Sequence, residues 1–283
     1  MLLDFVGTGG AEGIPSGFCS CAVCQNARKN KGRNIRLRSS ICINKEVLVD
    51  YSPDIHAADF LGYVDLTAIR SVLLTHSHAD HCDMQELIYR AQPNFCDTAE
   101  EYTLAVYGNQ ACRNKYDAAV KENGGSINHT EFLPVKPFDK FNLGDLTVTS
   151  LPANHALKTD VAVMYLFEQG DKRLLYAEDT GRFPEATVEY LKGKYCRCIC
   201  IDCAFCFGAP DRDDIHLGVN KMLEHMQLLK EIGAADDNTT FIAQHLSHRG
   251  LVKDGTPLSA EALEAELKPF NIIPAYDGLS LEI

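Results

Sequence analysis

The 283-residue sequence contains no run of the ~18 uncharged apolar residues that a membrane-spanning helix requires. It also lacks a basic stretch followed by a long apolar one at its start. MLLDFVGTGG reads as a first strand entering a glycine turn, not as an export signal, so the cytoplasm is the expected compartment. Positive charge is scarce: 27 Lys and Arg stand against 39 Asp and Glu, a formal charge of −12, and no insertion is rich in Lys or Arg. Phosphate-backbone binding draws on clustered cations, so neither nucleic acid nor a membrane is an expected partner. Divalent cations bound at a site would reverse that sign locally, which keeps a small phosphorylated substrate open. Repeats, low-complexity tracts and linker-like runs are missing too, and residues 1–283 read as one domain.

What is present is an ordinary globular balance, 46% hydrophobic and 23% charged, with twelve cysteines. Without an export signal those cysteines are expected as thiols or metal ligands, not as a disulfide framework. Strand-like segments lie at 2–7, 39–51, 71–76, 146–153, 161–169, 173–179, 196–203 and 239–245. Helix-like segments lie at 84–92, 111–122, 184–193, 217–233 and 259–268, with Pro184 suited to a first helical turn and Gly233 to a helix stop. Strands that come in a run and then mix with helices suggest an α/β arrangement of packed sheets with helices outside.

Two stretches carry the chemistry. THSHADHCD at 75–83 follows the apolar run SVLL and places His76, His78, Asp80 and His81 within six residues. Imidazoles and a carboxylate at a strand end suit zinc, manganese or iron better than calcium. The bland alternative is a run of solvated histidines, which that density argues against. The second stretch, GTGGAEGIPSGFCSCAVC, carries Cys19, Cys21 and Cys24. C-x-C-x-x-C leaves an odd thiol for disulfide pairing and suits three thiolates on one zinc with a fourth ligand from elsewhere; three unrelated thiols are the alternative. The glycines of GTGGAEG lack the G-K-[ST] ending of a phosphate loop and open into the cysteines, so a tight turn near the metal centre is the better account.

H-x-H-x-D-H after an apolar strand resembles the metallo-β-lactamase superfamily of hydrolases, which implies an αββα sandwich. It also implies further ligands at later strand ends, for which His155 in LPANHA, Asp179 in LLYAEDTG and His245 in FIAQHLSH stand in order. The resemblance implies one metal on His76, His78 and His155, a second on Asp80, His81 and His245, and Asp179 between them. It further implies a hydroxide bridging the two metals, which Asp80 could orient. Met84 stands where many members have glycine. GTGGAEGIP, the three cysteines, THSHADH, NHALKT, AEDTG, IDC and HLSH in this order are similar to the phosphoribosyl 1,2-cyclic phosphate phosphodiesterase family of the carbon–phosphorus lyase pathway. That likeness implies His248 as fourth ligand of a structural zinc held by a cysteine loop at about 13–34. It implies a small phosphorylated sugar as substrate, and His216 in DDIHLG as the group that binds phosphate or protonates the leaving alkoxide.

The expected cofactors are two catalytic divalent metals, zinc or manganese with iron as the other candidate, and one structural zinc. Lys158 and Arg249 adjoin ligand loops and could hold a terminal phosphate or simply be solvated. Cys196, Cys198 and Cys200 alternate as one strand face would and read as small buried hydrophobes, while Cys203 and Cys206 form a weak C-x-x-C signal. Cys42, Cys82, Cys96 and Cys112 read as structural; His56, His129 and His225 read as surface or packing residues. A homodimer stays open. The rival functions are a tRNA 3′-processing nuclease, a lactone or thioester hydrolase, and a non-catalytic metal-binding protein of cofactor biosynthesis. The nuclease wants a basic exosite that the composition does not supply.

Overall fold

The computed structural model describes residues 1–90, 96–97, 102–124, 129–157, 160–208 and 213–283. One sheet holds β1 (Leu2–Gly7), β2 (Ser40–Ile43), β3 (Val47–Val49), β4 (Ser71–Leu73), β5 (Leu104–Gly108) and β6 (Thr130–Pro134). The other holds β7 (Lys140–Leu143), β8 (Leu146–Leu157), β9 (Asp160–Gln169), β10 (Lys172–Ala177), β11 (Cys198–Asp202) and β12 (Thr240–Gln244). After a small hairpin, β13 (Val252–Lys253) with β14 (Thr256–Pro257), strand β15 (Ile272–Pro274) completes the second sheet and β16 (Ser280–Glu282) returns to the first. The orders are β16-β1-β2-β3-β4-β5-β6 and β15-β12-β11-β10-β9-β8-β7.

Helices cover the outer faces: α1 (Ala22–Asn30), α2 (Ile55–Phe60), α3 (Met84–Tyr89), α4 (Gln110–Glu122), α5 (Glu185–Leu191), α6 (Val219–Glu231) and α7 (Ala260–Leu267). The layering follows from three apolar clusters. Phe5, Ile41, Val148, Tyr165 and Tyr176 meet between the sheets. Leu48, Val72, Leu87 and Tyr116 pack helices onto the first sheet, and Ile199, Ile201, Met222 and Leu263 pack helices onto the second. The fold is thus the αββα sandwich, an α/β protein of four layers. No helix among the described residues is long and apolar enough to cross a membrane.

Several elements depart from the expected pattern for local reasons. The run 39–51 is a hairpin, not one strand. Asn44 and Lys45 take left-handed φ angles of 51° and 65°, and Asn44 accepts a bond from the Leu2 amide at 2.9 Å. Pro184 caps α5 from outside instead of entering its first turn. Gly233, at φ 71°, does lie just past α6. Cys198 and Cys200 face the inter-sheet core, but Cys196 lies before the strand and joins the outer cluster, so the three do not share one face.

Strand direction fixes where the chemistry gathers. β10, β11, β12 and β15 are parallel neighbours, as are β3, β4, β5 and β6. Their carboxyl ends therefore open at one edge of each sheet, the place where side chains on connecting loops can converge. Cross-sheet bonds hold those edges together, among them the Val163 amide to the Thr75 carbonyl at 3.0 Å, the Tyr165 hydroxyl to the Leu74 carbonyl at 2.9 Å and the Asn109 side-chain amide to the Val161 carbonyl at 3.0 Å.

Gly7, the last residue of β1, is set by close approach: an added Cβ would lie 2.0 Å from the Arg38 carbonyl oxygen. Gly17 faces open space. Gly7→Ala should cost about 1–3 kcal/mol in urea unfolding, and Gly17→Ala should stay within about 0.5 kcal/mol of the parent. Equal stability of the two variants would contradict this packing.

Candidate metal centres

His76, His78, Asp80 and His81 lie on the loop leaving β4. His155 lies late in β8, Asp179 just after β10, and His245 directly after β12. The sandwich brings all seven together. His76 Nε2 and His78 Nδ1 are 2.8 Å apart, His155 Nε2 lies 3.1 Å from the same His78 nitrogen, and Asp179 Oδ2 lies 3.2 Å from His76 Nε2. On the other side, His81 Nε2 is 2.9 Å from Asp80 Oδ2 and 3.2 Å from Asp179 Oδ2. His245 Nε2 is 3.9 and 3.7 Å from the same two oxygens. Two donor groups result, sharing Asp179: His76, His78, His155 with Asp179, and Asp80, His81, His245 with Asp179.

The outer nitrogens decide which inner atoms offer lone pairs. His81 Nδ1 meets Asp50 Oδ2 at 2.8 Å, His76 Nδ1 meets the Thr75 hydroxyl at 3.0 Å, and His155 Nδ1 meets the Ile215 carbonyl at 3.3 Å. A proton held at each Nδ1 leaves Nε2 unprotonated and aimed inward, the arrangement that orients imidazoles toward a metal. The buried atoms His81 Nε2, Asp179 Oδ1 and both nitrogens of His245 make no hydrogen bond. Buried polar atoms left so are costly unless a cation meets them. The donor set fits a divalent metal on that ground.

Backbone and charge carry the same signature. Asp50, Asp179 and His245 adopt left-handed φ angles of 64°, 48° and 58°, which non-glycine residues take up at a cost. Burial opposes ionisation of Asp80, yet His81 and His245 hold it well below the usual carboxylate range. Burial likewise opposes charge on His81, and Asp80 and Asp50 outweigh it, holding the ring well above the ordinary histidine value, so without a cation a second proton takes the place at Nε2 that a metal would fill.

His216 stands beside this cluster, its side chain 17% exposed. Its Nδ1 lies 2.8 Å from Asp202 Oδ2 and 3.2 Å from Asp179 Oδ1, and its ring stacks on His245 with centroids 5.2 Å apart. Asp202 ends β11 and is wholly buried. Its Oδ1 also accepts from the Ala204 and Leu217 amides, so the loop carrying His216 is tied to the strand end.

The cysteines form a separate group. Cys21 caps α1, which puts Cys24 one turn inside the helix and Cys19 just outside it. His248 Nδ1 lies 3.6, 3.2 and 3.5 Å from the sulfurs of Cys19, Cys21 and Cys24. Burial drives the Cys24 thiol up to about 12, while the backbone and side chain of Cys21 draw Cys19 down. A coordinated cation deprotonates a thiol outright, and three sulfurs with one imidazole are the donors of a closed zinc shell.

Other candidates fare differently. Arg249 is exposed, and its amide bonds the Ser247 hydroxyl; Lys158 lies outside the described residues. His225 is buried between the Phe183 amide and the Lys221 carbonyl, a packing residue with both nitrogens bonded. Neither Asp50 nor Asp202 stands out in the sequence, although both hold site imidazoles. Asp50 follows β3, whose parallel neighbour β4 leads into THSHADH, and an aspartate at that strand end was the available signal.

A protein-family model described as "Beta-lactamase superfamily domain" matches residues 45–236, more than half of the chain. The match takes in His76, His78, Asp80, His81, His155, Asp179 and His216, and leaves out Cys19, Cys21, Cys24, His245 and His248. Octanoyltransferase of Porphyromonas gingivalis (strain ATCC BAA-308 / W83) is 26% identical over 97% of this chain and 50% of its own length. The chain thus spans about half the length of that curated relative. Among solved structures, a diphosphatase of the PhnP family superposes with a TM-score of 0.73 at 22% identity, covering 100% of this chain and 97% of that one. Zn(2+)-bound PqqB from Methylobacterium extorquens does so with a TM-score of 0.73 at 18% identity, covering 100% of both chains. At such identities the likeness to solved structures speaks for the fold, and the family model speaks for descent. The chain belongs to the metallo-beta-lactamase superfamily, a family built on the metallo-hydrolase fold.

Proposed function

We propose that the protein is a metal-dependent phosphodiesterase that opens a small cyclic phosphodiester of the phosphoribosyl 1,2-cyclic phosphate type. The observation that carries this reading is His216, an imidazole held by the buried Asp202 at 2.8 Å and partly open to solvent beside two donor groups. His76, His78, His155 and Asp179 would hold one cation, and Asp80, His81, His245 and Asp179 the other. Divalent metals there supply Lewis acidity, polarising the phosphoryl group and acidifying the attacking water. Asp80 accepts from that water. With Nδ1 of His216 held by Asp202, its Nε2 is the atom that delivers a proton to the departing sugar oxygen. Cys19, Cys21, Cys24 and His248 would hold a structural zinc, with the three cysteines near the start of a single domain that spans 1–283. The inter-sheet core includes both Met1 and Ile283, which supports that single unit. A small phosphorylated sugar in a chain of charge −12 then depends on the bound cations for its attraction.

A second reading rests on the octanoyltransferase relative, whose name points to acyl transfer. In it the same centre hydrolyses an acyl thioester. Side-by-side turnover of bis(p-nitrophenyl) phosphate, ribose 1,2-cyclic phosphate and an octanoyl thioester, with added Mn or Zn, separates the two. Thioester turnover without diester turnover would replace the first reading by the second, and no turnover of either would favour a binding protein.

Protein purified without chelator should carry three metals per chain by elemental analysis; a value near one with intact cysteines would overturn the three-site arrangement. Cys21→Ser should lower the melting temperature by about 5 °C or more, whereas Asp80→Ala should leave melting near the parent and cut turnover by more than about 100-fold. A Cys21→Ser protein that melts like the parent yet loses turnover would reverse that division of labour. Finally, His216→Ala should slow opening of the sugar diester far more than cleavage of the p-nitrophenyl diester, because p-nitrophenolate leaves without a proton. An equal loss on both substrates would assign His216 to phosphate binding or to structure.

A further inference from the structure

The segment 245–248 serves both donor groups, and one carboxylate outside either group reaches it at two points. The Ser247 hydroxyl donates to Glu12 Oε1 at 2.6 Å, and His248 Nε2 lies 3.5 Å from the same oxygen. His248 turns its other nitrogen, Nδ1, to the three sulfurs. For Nδ1 to offer a lone pair, the ring proton must sit on Nε2, and the Glu12 carboxylate is the ion-pair partner facing that atom, at 3.5 Å. Glu12 belongs to the glycine turn that pairs with the same segment: the Gly10 amide donates to the Leu246 carbonyl at 3.1 Å, and the Leu246 amide to the Thr8 carbonyl at 3.0 Å. The turn lies directly against both residues, since a Cβ added at Gly10 would rest in ordinary contact with Glu12 Oε2 and with His245 Cε1, 3.5 Å from each.

We propose that Glu12 is a positioning residue that fixes the tautomer of His248 and, through its grip on Ser247, couples metal occupancy of the cysteine group to that of the His245 centre. The proposal rests on the reading of Cys19, Cys21, Cys24 and His248 as a zinc site. His245 and His248 are three residues apart on one turn. When a cation pulls His248 toward the sulfurs, the turn that presents His245 is held in place. Without Glu12, the ring is free to choose its tautomer, and the turn loses its side-chain tie to the 8–12 strand exit.

Cobalt titration of the chelator-stripped full chain tests this. The thiolate-to-cobalt charge-transfer band reports the cysteine group, and the d–d bands that carry no thiolate component report the histidine centre. Glu12→Met keeps the side-chain length without an oxygen acceptor, and Glu12→Gln keeps an acceptor oxygen without charge. E12M should bind cobalt at the cysteine group about 10–100-fold more weakly than the parent, with a parallel loss at the histidine centre, and E12Q should recover most of both. Parent-like cobalt affinity in E12M would overturn the positioning role. Loss at the cysteine group with an unchanged histidine centre would overturn the coupling. Equal losses in E12M and E12Q would show that an acceptor oxygen is not what matters. A parent protein with no thiolate band at all would instead bring down the zinc reading itself, and the proposal with it.

Discussion

Asp179 is a carboxylate sealed in the interior among five imidazoles. Its two oxygens lie 3.1–3.2 Å from nitrogens of His76, His81, His155 and His216 and 3.7 Å from His245. A buried carboxylate is tolerable only when positive charge or hydrogen bonds meet it. Burial alone would keep Asp179 neutral, but His245, His76 and His81 hold it far below the usual carboxylate range. Every loop of the site must therefore close onto this one residue. The loop after β4 brings two imidazoles, β8 one, the segment before α6 one, and the exit of β12 one. The left-handed backbone at Asp179 and His245 is part of what that closure requires.

Rigidity behind those loops comes from the sheets. The parallel blocks β3–β6 and β10–β12 with β15 aim their carboxyl ends at the same edge, and Tyr165 and Val163 stitch the two edges together beneath the histidines. A second tier of carboxylates then orients the rings: Asp50 for His81, Asp202 for His216. Glu178 has a different fate. It is wholly buried against the Tyr176 hydroxyl, and burial lifts its carboxyl to about 7. It belongs to the floor of the site, where Gln244 bonds the same hydroxyl at 2.8 Å.

The chain also joins its ends around this centre. Arg36, fully buried, donates to Thr8 and to the Ala275 carbonyl, and Asp277 bonds Thr8 and the Leu37 amide at 2.7 and 2.6 Å. The glycine turn after β1 is thereby held between the cysteine loop, the exit of β12 and the last strands. That a turn with no ligand of its own is so heavily bonded makes sense if it is the wall on which both donor groups lean.

Much of this was legible in the residues. His76, His78, Asp80 and His81 declare themselves because ligand spacing within one loop is a local property, and Cys19, Cys21 and Cys24 do so for the same reason. Strong apolar runs gave β1, β4 and β9–β12 nearly in place, since alternation and β-branching act over a few residues. Less was visible where geometry depends on distant partners. His155, Asp179 and His245 are unremarkable one by one, and only family resemblance put them in line. The hairpin at 44–46 hid inside an apolar run, because its turn depends on left-handed backbone that Asn44 tolerates but does not announce. Asp50, Asp202 and Glu12 were silent, each a lone acid whose meaning lies in an imidazole 14 to 236 residues away. Which donors exist, and which share one loop, is written in the order of residues. Which acid holds which ring is a property of the folded chain, because a side chain's partner across a sheet edge is set by strand direction and packing, not by its neighbours along the chain.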